Sequence, residues 1–163
     1  MNSNIEIERK FLLKRLPDDL SNFPSKHIRQ GYIAVAEDGT EVRLREKGGK
    51  HFLTVKSGAG MKRAEYETEI SPAQFDTLWP ATENRRVEKT RYELLYRDNV
   101  SGIDAVIEID VYEGTLEGLL TMEVEFGSES ESASFNPPDW TGLEITEDKR
   151  YKNQILALRG IPQ

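Results

Sequence analysis

A mainly β domain of antiparallel strands, with a few flanking helices, is the fold class this sequence predicts. Three observations predict it. Apolar and polar residues alternate with period two through most of the chain. Short turn signals punctuate the alternating runs. Only two longer stretches, one central and one C-terminal, combine helical spacing with capping residues. The 163 residues suit one domain with one sizeable core, so residues 1–163 read as a single domain.

The elements follow in order. In "IEIERKF", Ile5, Ile7, Arg9 and Phe11 point one way on a strand, and Glu6, Glu8 and Lys10 the other. "LPDDLSNF" is polar, contains a proline and allows one helical turn. "IRQGYIAV" is a strand, and "EDGT" after it is a turn. "EVRLREK" and "HFLTVKS" are strands joined by the hairpin turn "GGK". "GAG" is another turn, and "KRAEYETEI" alternates again. "SPAQFDTLWP" is a short helix, with Ser71 as N-cap, Pro72 at the first helical position and Pro80 at its end. "RRVEKTRYELLYR", "IDAVIEIDVYEG" and "LLTMEVEFG" are three more strands. "SESESASFNPPDWTG" reads as an exposed loop. "TEDKRYKNQILALRG" reads as a terminal helix capped by Thr146 and stopped by Gly160. Eight strands in all, joined mainly by hairpins, predict an antiparallel sheet that is either a sandwich or closed.

Composition narrows the chemistry. No cysteine is present, which excludes disulfides, thiol catalysis and cysteine-based zinc sites. Two histidines, His27 and His51, look too isolated for a histidine metal site and read as surface or edge residues. No apolar run reaches the length of a membrane span, and no signal peptide is visible, so a cytoplasmic location away from membranes is the expectation. The net charge of −7 argues against a general nucleic-acid surface. It leaves room for a local basic cluster that binds a small polyanion.

The charged faces of the strands carry the functional signal. Arg43 and Arg45 share a face, opposite Val42 and Leu44. Thr54 and Lys56 lie together, as do Arg63, Glu65, Glu67 and Glu69. Lys89 and Arg91 form another pair, Glu108 and Asp110 another, and Glu123 and Glu125 another. An ordinary half-exposed sheet would mix threonine, serine and glutamine into its polar face. Here that face is almost purely Glu, Asp, Arg and Lys. Either it solvates the outside of the fold, or it lines a wet interior, and burying so much charge is costly without ligands or partners. Clustered carboxylates without histidine or cysteine are hard oxygen ligands that suit Mg²⁺ or Mn²⁺. Clustered Arg and Lys bind phosphate. Acids on some strands and bases on others suit a metal–polyphosphate complex, and phosphoryl transfer needs little beyond positioning and charge neutralisation.

"EIERKF" resembles the ExExK signature of the CYTH superfamily, the triphosphate tunnel metalloenzymes, as Glu6, Glu8 and Lys10. The resemblance runs through "VRLR", "TVK", "RAEYE", "KTRY", "EID", "MEVEF" and, more loosely, the terminal "TEDKRYKN". It implies an eight-stranded antiparallel β tunnel with a charged interior, which places the charged face inside. It also implies metal-dependent chemistry on a small-molecule triphosphate, and the start "EIERKFL" is most similar to bacterial inorganic triphosphatases. Carried over by residue, Glu6, Glu8, Glu123 and Glu125 are metal ligands. Glu65, Glu67 and Asp110 are weaker candidates for a second metal, or for tuning the bases. Arg43, Arg45, Lys56, Lys89 and Arg91 hold phosphates, with Lys10 touching substrate, and Arg63 and Lys149 are candidate basic wall residues, Lys149 more simply a surface charge. Tyr32 is a candidate partner for Lys10 or else a packed aromatic. The competing readings are a class IV adenylate cyclase, a thiamine or nucleoside triphosphatase of the same fold, and a polyphosphate-binding module without catalysis. A homodimer is left open.

Overall fold

The computed structural model describes residues 7–57 and 64–163. Among them are nine strands: β1 (Ile7–Leu13), β2 (Ser25–Val35), β3 (Glu41–Lys47), β4 (Lys50–Ser57), β5 (Ala64–Ile70), β6 (Arg86–Arg97), β7 (Asp104–Tyr112), β8 (Leu120–Phe126) and β9 (Thr141–Glu144). They are hydrogen-bonded in the order β5-β4-β3-β2-β6-β7-β8-β1-β9. The described helices are α1 (Pro72–Leu78), α2 (Glu129–Ser134) and α3 (Asn153–Arg159). None is long and apolar enough to cross a membrane.

By packing, the chain forms two compact units. One holds residues 7–25, 91–111 and 118–148, and the other holds 26–57, 64–90, 112–117 and 149–163. Strand β6 runs through both.

In the first unit, β1 pairs antiparallel with β8, and β8 with β7. The alternation read from sequence sends Phe11, Ile107, Ile109, Met122, Val124 and Phe126 to one face, where they form an apolar cluster closed by Phe135. Phe135 meets Phe126 and Tyr96 edge-on, at ring-centre distances of 5.2 and 5.9 Å. Helix α2 lies in the stretch expected to be a loop, and the ninth strand begins at its end. Ser128 caps α2 by accepting from the Glu131 backbone, and Glu131 reaches back to the Gly127 N–H. That reciprocal Ser-x-x-Glu cap, with Glu129 and Glu131 in the first turn, stabilises a segment whose apolar content is too low to signal a helix. Strand β9 is four residues long, too short to show alternation, and it exists because β1 offers a free edge. Thr146 is not a helix cap. Its hydroxyl accepts from the Lys10 backbone N–H at 3.1 Å, so it laces the chain after β9 to β1.

In the second unit, β2, β3, β4 and β5 form an antiparallel ladder. Gly48 and Gly49 take φ of 58° and 79° in the β3–β4 hairpin, a backbone that L side chains rarely adopt. Ser71 and Gln74 form a full capping box at α1. The helix is held by a stack in which Phe75 lies on Trp79 and His51, and Arg29 and Arg86 lie on the Trp79 face. Arg29 grips Glu46 with two hydrogen bonds of 3.1 and 2.9 Å, and His51 meets the same carboxylate at 2.7 Å. His51 is therefore half-buried, not a surface residue. The terminal helix α3 begins at Asn153, preceded by a 3-10 turn at Lys149–Tyr151, and Gly160 ends it at φ 76° as expected.

Gly31 is required by close approach. A Cβ there would sit 2.5 Å from Cβ and Oγ1 of Thr82. Thr82 is fully buried, donating to Trp79 O at 2.7 Å and accepting from Arg86 at 2.9 Å, so it has no room to retreat. Gly31→Ala is expected to lower unfolding stability by about 1–3 kcal/mol. Urea denaturation reads it, and an unchanged midpoint would mean that Thr82 yields.

The Arg29 hydrogen bonds, helped by His51, hold the Glu46 carboxyl below its ordinary value of 4.5, although burial pulls the other way. A depressed folded pKa contributes stability that is present above the unfolded value and lost as pH falls through the folded one. The thermal midpoint of the wild type should therefore fall more steeply than that of Glu46→Gln as pH drops from about 6 to about 3. Equal slopes in the two melting series would remove Glu46 from the account.

Candidate active site

Register assembles the acids in the first unit. Glu8 lies directly opposite Glu125 and Lys10 opposite Glu123 across β1 and β8, while Glu108 lies opposite Glu123 across β7 and β8. Opposed residues of an antiparallel pair share a face, with Cβ atoms about 4.5–5.5 Å apart. Lys10 Nζ stands 3.4 Å from Glu123. Glu8 and Glu125 are exposed and Glu123 is half-buried.

Arg91 binds this face together. Its Nε and Nη2 donate to both oxygens of Asp110 at 2.7 and 2.8 Å, its Nη1 meets Glu108 at 2.5 Å, and Glu123 lies 3.9 Å away. Burial alone would lower the pKa of this guanidinium. The Asp110 hydrogen bonds and the charges of Asp110, Glu108 and Glu123 outweigh it, and the net shift is upward. Asp110 is buried and turned to Arg91, which fits it for tuning a base more than for holding a second metal. Thr121, the register partner of Asp110, is fully buried with a hydroxyl that finds no hydrogen-bond partner among the described residues.

The second unit carries the bases. Tyr32 lies opposite Arg43, and Gln30 opposite Arg45. Across the next pair of strands Arg43 lies opposite Thr54 and Glu41 opposite Lys56, and beyond them Glu67 opposite Thr54 and Glu65 opposite Lys56. Glu41, Arg43 and Lys89 are buried and Arg45 and Lys56 half-buried, so the basic face is not a solvated exterior. Glu67 accepts from the Thr54 hydroxyl at 2.9 Å. Arg43 reaches Glu41 at 3.7 Å, yet its buried Nε has no acceptor among the described residues. Lys89 Nζ lies 5.2 Å from the centre of the Tyr112 ring, whose hydroxyl donates to Asn153 of α3. Lys149 is exposed, in keeping with a surface charge.

Sequence reasoning missed Gln30. Its side chain is 1% exposed, accepts from Arg45 Nε at 2.7 Å and donates to the Tyr32 hydroxyl at 2.7 Å. It thus orients two candidate residues at once, and it is the partner found for Tyr32. Burial pushes the Tyr32 hydroxyl up to about 12, with Glu41 adding to the rise. A neutral glutamine among paired charges gave no signal in the pattern. Glu6 and Arg63 lie outside the described residues.

His27, expected to be isolated, stands between two carboxylates, 3.0 Å from Glu88 and 3.3 Å from Glu113. Its partners are far away in sequence, Glu113 by 86 residues, which hides the group from any motif search.

The CYTH domain family model matches residues 4–152. An inorganic triphosphatase of Nitrosomonas europaea is 50% identical over 154 residues, spanning 94% of this chain and 97% of its own. An inorganic triphosphatase of Acetivibrio thermocellus is 36% identical over 156 residues, spanning 93% and 92%. The crystal structure of an inorganic triphosphatase, 47% identical, superposes with a TM-score of 0.80 over 97% of each chain. The match runs through the strands that carry the opposed acids and the buried bases, and on that extent the chain belongs to the CYTH family.

Proposed function

We propose that this chain is a metal-dependent inorganic triphosphatase that hydrolyses tripolyphosphate to phosphate and pyrophosphate. The observation that carries this is Arg43, a buried guanidinium with an unmet donor in a ladder with Arg45 and Lys56. An unmet buried donor costs about 1–3 kcal/mol, a cost that an anionic ligand removes. The names of the relatives at 50% and 36% identity support triphosphate as that anion.

The donor set on β1 and β8 fits a hard dication. Glu8, Glu123 and Glu125 offer only oxygen, on opposed strands of one face, and Glu6 would join them by the ExExK pattern. Mg²⁺ or Mn²⁺ bound there would neutralise phosphoryl charge and activate water. The reaction forms one bond from water oxygen to the terminal phosphorus and breaks the adjoining P–O–P bond, releasing pyrophosphate. Arg43, Arg45, Lys56 and Lys89 supply positive charge to the phosphoryl oxygens without reorganising, because burial and cross-strand partners already hold them. Lys10, held beside Glu123, is a point charge for one oxygen. Tyr32 stays protonated at neutral pH, and since Gln30 donates to its oxygen, its own proton is available for a phosphate oxygen. In this reading Arg91 organises the carboxylates as well as adding charge.

A phosphate-release screen over tripolyphosphate, thiamine triphosphate and ATP, with cyclic AMP assayed alongside, tests the reading. Tripolyphosphate should be the preferred substrate, with turnover abolished by chelator. Glu125→Gln should lower that turnover by about 10–100-fold or more at fixed metal, judged by the effect of weakened metal sites. Cyclic AMP as the main product, or metal-independent turnover, would overturn the proposal.

Arg43→Ala should weaken tripolyphosphate binding by about 10–100-fold, the worth of a hydrogen bond to a charged group. It should lower the thermal midpoint of the ligand-free protein only modestly, because it removes an unmet buried donor while Glu41 keeps Lys56 opposite it. Unchanged affinity, or a variant that fails to fold, would sink the assignment.

A further inference from the structure

The group His27, Glu88 and Glu113 adds an imidazole nitrogen, which the oxygen-only face lacks, to two carboxylates, and it belongs to neither charged ladder. Glu88 and Lys89 are neighbours on β6, so their side chains point to opposite faces of the sheet. Lys89 is buried on the basic face. Glu88 is half-buried on the other, where His27 of β2 and Glu113, just past β7, meet it. One ligand atom from each of the three residues lies within 4.8 Å of the others.

Both spacings to the imidazole match those of a coordination shell, and the third lies within 4.8 Å. Tetrahedral bonds of about 2.0–2.1 Å put neighbouring ligand atoms about 3.3 Å apart. His27 Nε2 stands 3.0 Å from Glu88 Oε1 and 3.3 Å from Glu113 Oε2. Two further contacts fix the donors. The Thr90 hydroxyl donates to Glu113 Oε1 at 2.9 Å, leaving Oε2 turned to the imidazole. The Glu113 backbone N–H donates to Glu88 O at 2.9 Å, which pins the two carboxylate-bearing segments together. Hydrogen bonds of the first kind are how metal-binding carboxylates are oriented in general.

We infer that His27, Glu88 and Glu113 form a second cation site, selective for a borderline divalent transition ion such as Zn²⁺, Ni²⁺ or Co²⁺. Imidazole nitrogen favours these ions over Mg²⁺, which prefers oxygen donors. Three protein ligands leave a position for water, so the site is open. An ion there joins β2, β6 and the chain after β7. Glu88 adjoins Lys89, and Glu113 adjoins Tyr112, whose ring lies over the Lys89 ammonium. The ion thus firms, from the far face, the backbone that presents Lys89.

The test uses the full chain in saturating Mg²⁺, titrated with Zn²⁺ or Ni²⁺. Wild-type protein should bind one ion despite the Mg²⁺ and melt at a higher temperature. In NMR, Zn²⁺ should shift the ring signals of His27 and leave those of His51, the other histidine of the chain, unchanged. His27→Gln and Glu113→Gln should each weaken binding at least tenfold, with Mg²⁺-dependent phosphate release intact. Thr90→Val should weaken it by about 10–100-fold, as loss of an orienting hydrogen bond does elsewhere. Equal affinity in His27→Gln, or full displacement of Zn²⁺ by Mg²⁺ in the wild type, would overturn the inference. The binding, melting and NMR readouts do not depend on the triphosphatase reading.

Discussion

The bidentate contact between Arg91 and Asp110 is the interaction on which the acidic face depends. Register alone gathers Glu8, Glu108, Asp110, Glu123 and Glu125 on neighbouring strands, and like charges directly opposed repel. Asp110 is 1% exposed, too buried to be screened by water. Removing its partner would leave a buried charge uncompensated, at a cost of about 3–5 kcal/mol. Arg91 answers Asp110 with two hydrogen bonds and Glu108 with a third contact, so one guanidinium is shared by two carboxylates. On the basic face the Arg43 Nε has no acceptor among the described residues. Glu41 lies at a longer 3.7 Å from Arg43, and Gln30 contributes hydrogen bonds but no charge. Arg91 answers the buried member of the first face, which keeps net negative charge, whereas the second keeps a buried Arg43 donor without an acceptor among the described residues.

Much of this was legible because strands have a period of two. The alternation in "EVRLREK", "IDAVIEIDVYEG" and "LLTMEVEFG" located β3, β7 and β8 and assigned their faces. Once the faces are right, cross-strand neighbours follow from hairpin connection, and β3 and β4 place Arg43, Arg45 and Lys56 on paired strands. Ser71 and Pro72 marked α1 because capping chemistry is local.

What was hidden depends on pairing between distant segments. Gln30 matters because β2 lies beside β3 in a register that puts it opposite Arg45. Thr146 looked like a cap by its neighbours in sequence, yet its hydroxyl is taken by β1. His27 looked alone because Glu88 and Glu113 reach it from other strands. Strand β9 has no pattern of its own and is made by the edge it adds to. The opening motif speaks for the acids on β1, but it says nothing of Arg91, the residue that makes their gathering tolerable.

Strand β6 belongs to both packing units, with Arg86–Thr90 in one and Arg91–Arg97 in the other. Each unit is also stitched from segments remote in the chain: β1 finds its partner β8 only after more than a hundred residues have been made. A chain emerging from the ribosome at about 5–20 residues per second therefore carries β1 as an unpaired edge for several seconds. Helices and hairpins such as β3–β4 can form meanwhile, but neither unit is complete until the C-terminal segments arrive. Cutting the gene between Thr90 and Arg91 would divide a strand and leave both fragments without the sheet neighbours they need. The two units are distinct in packing but inseparable in synthesis.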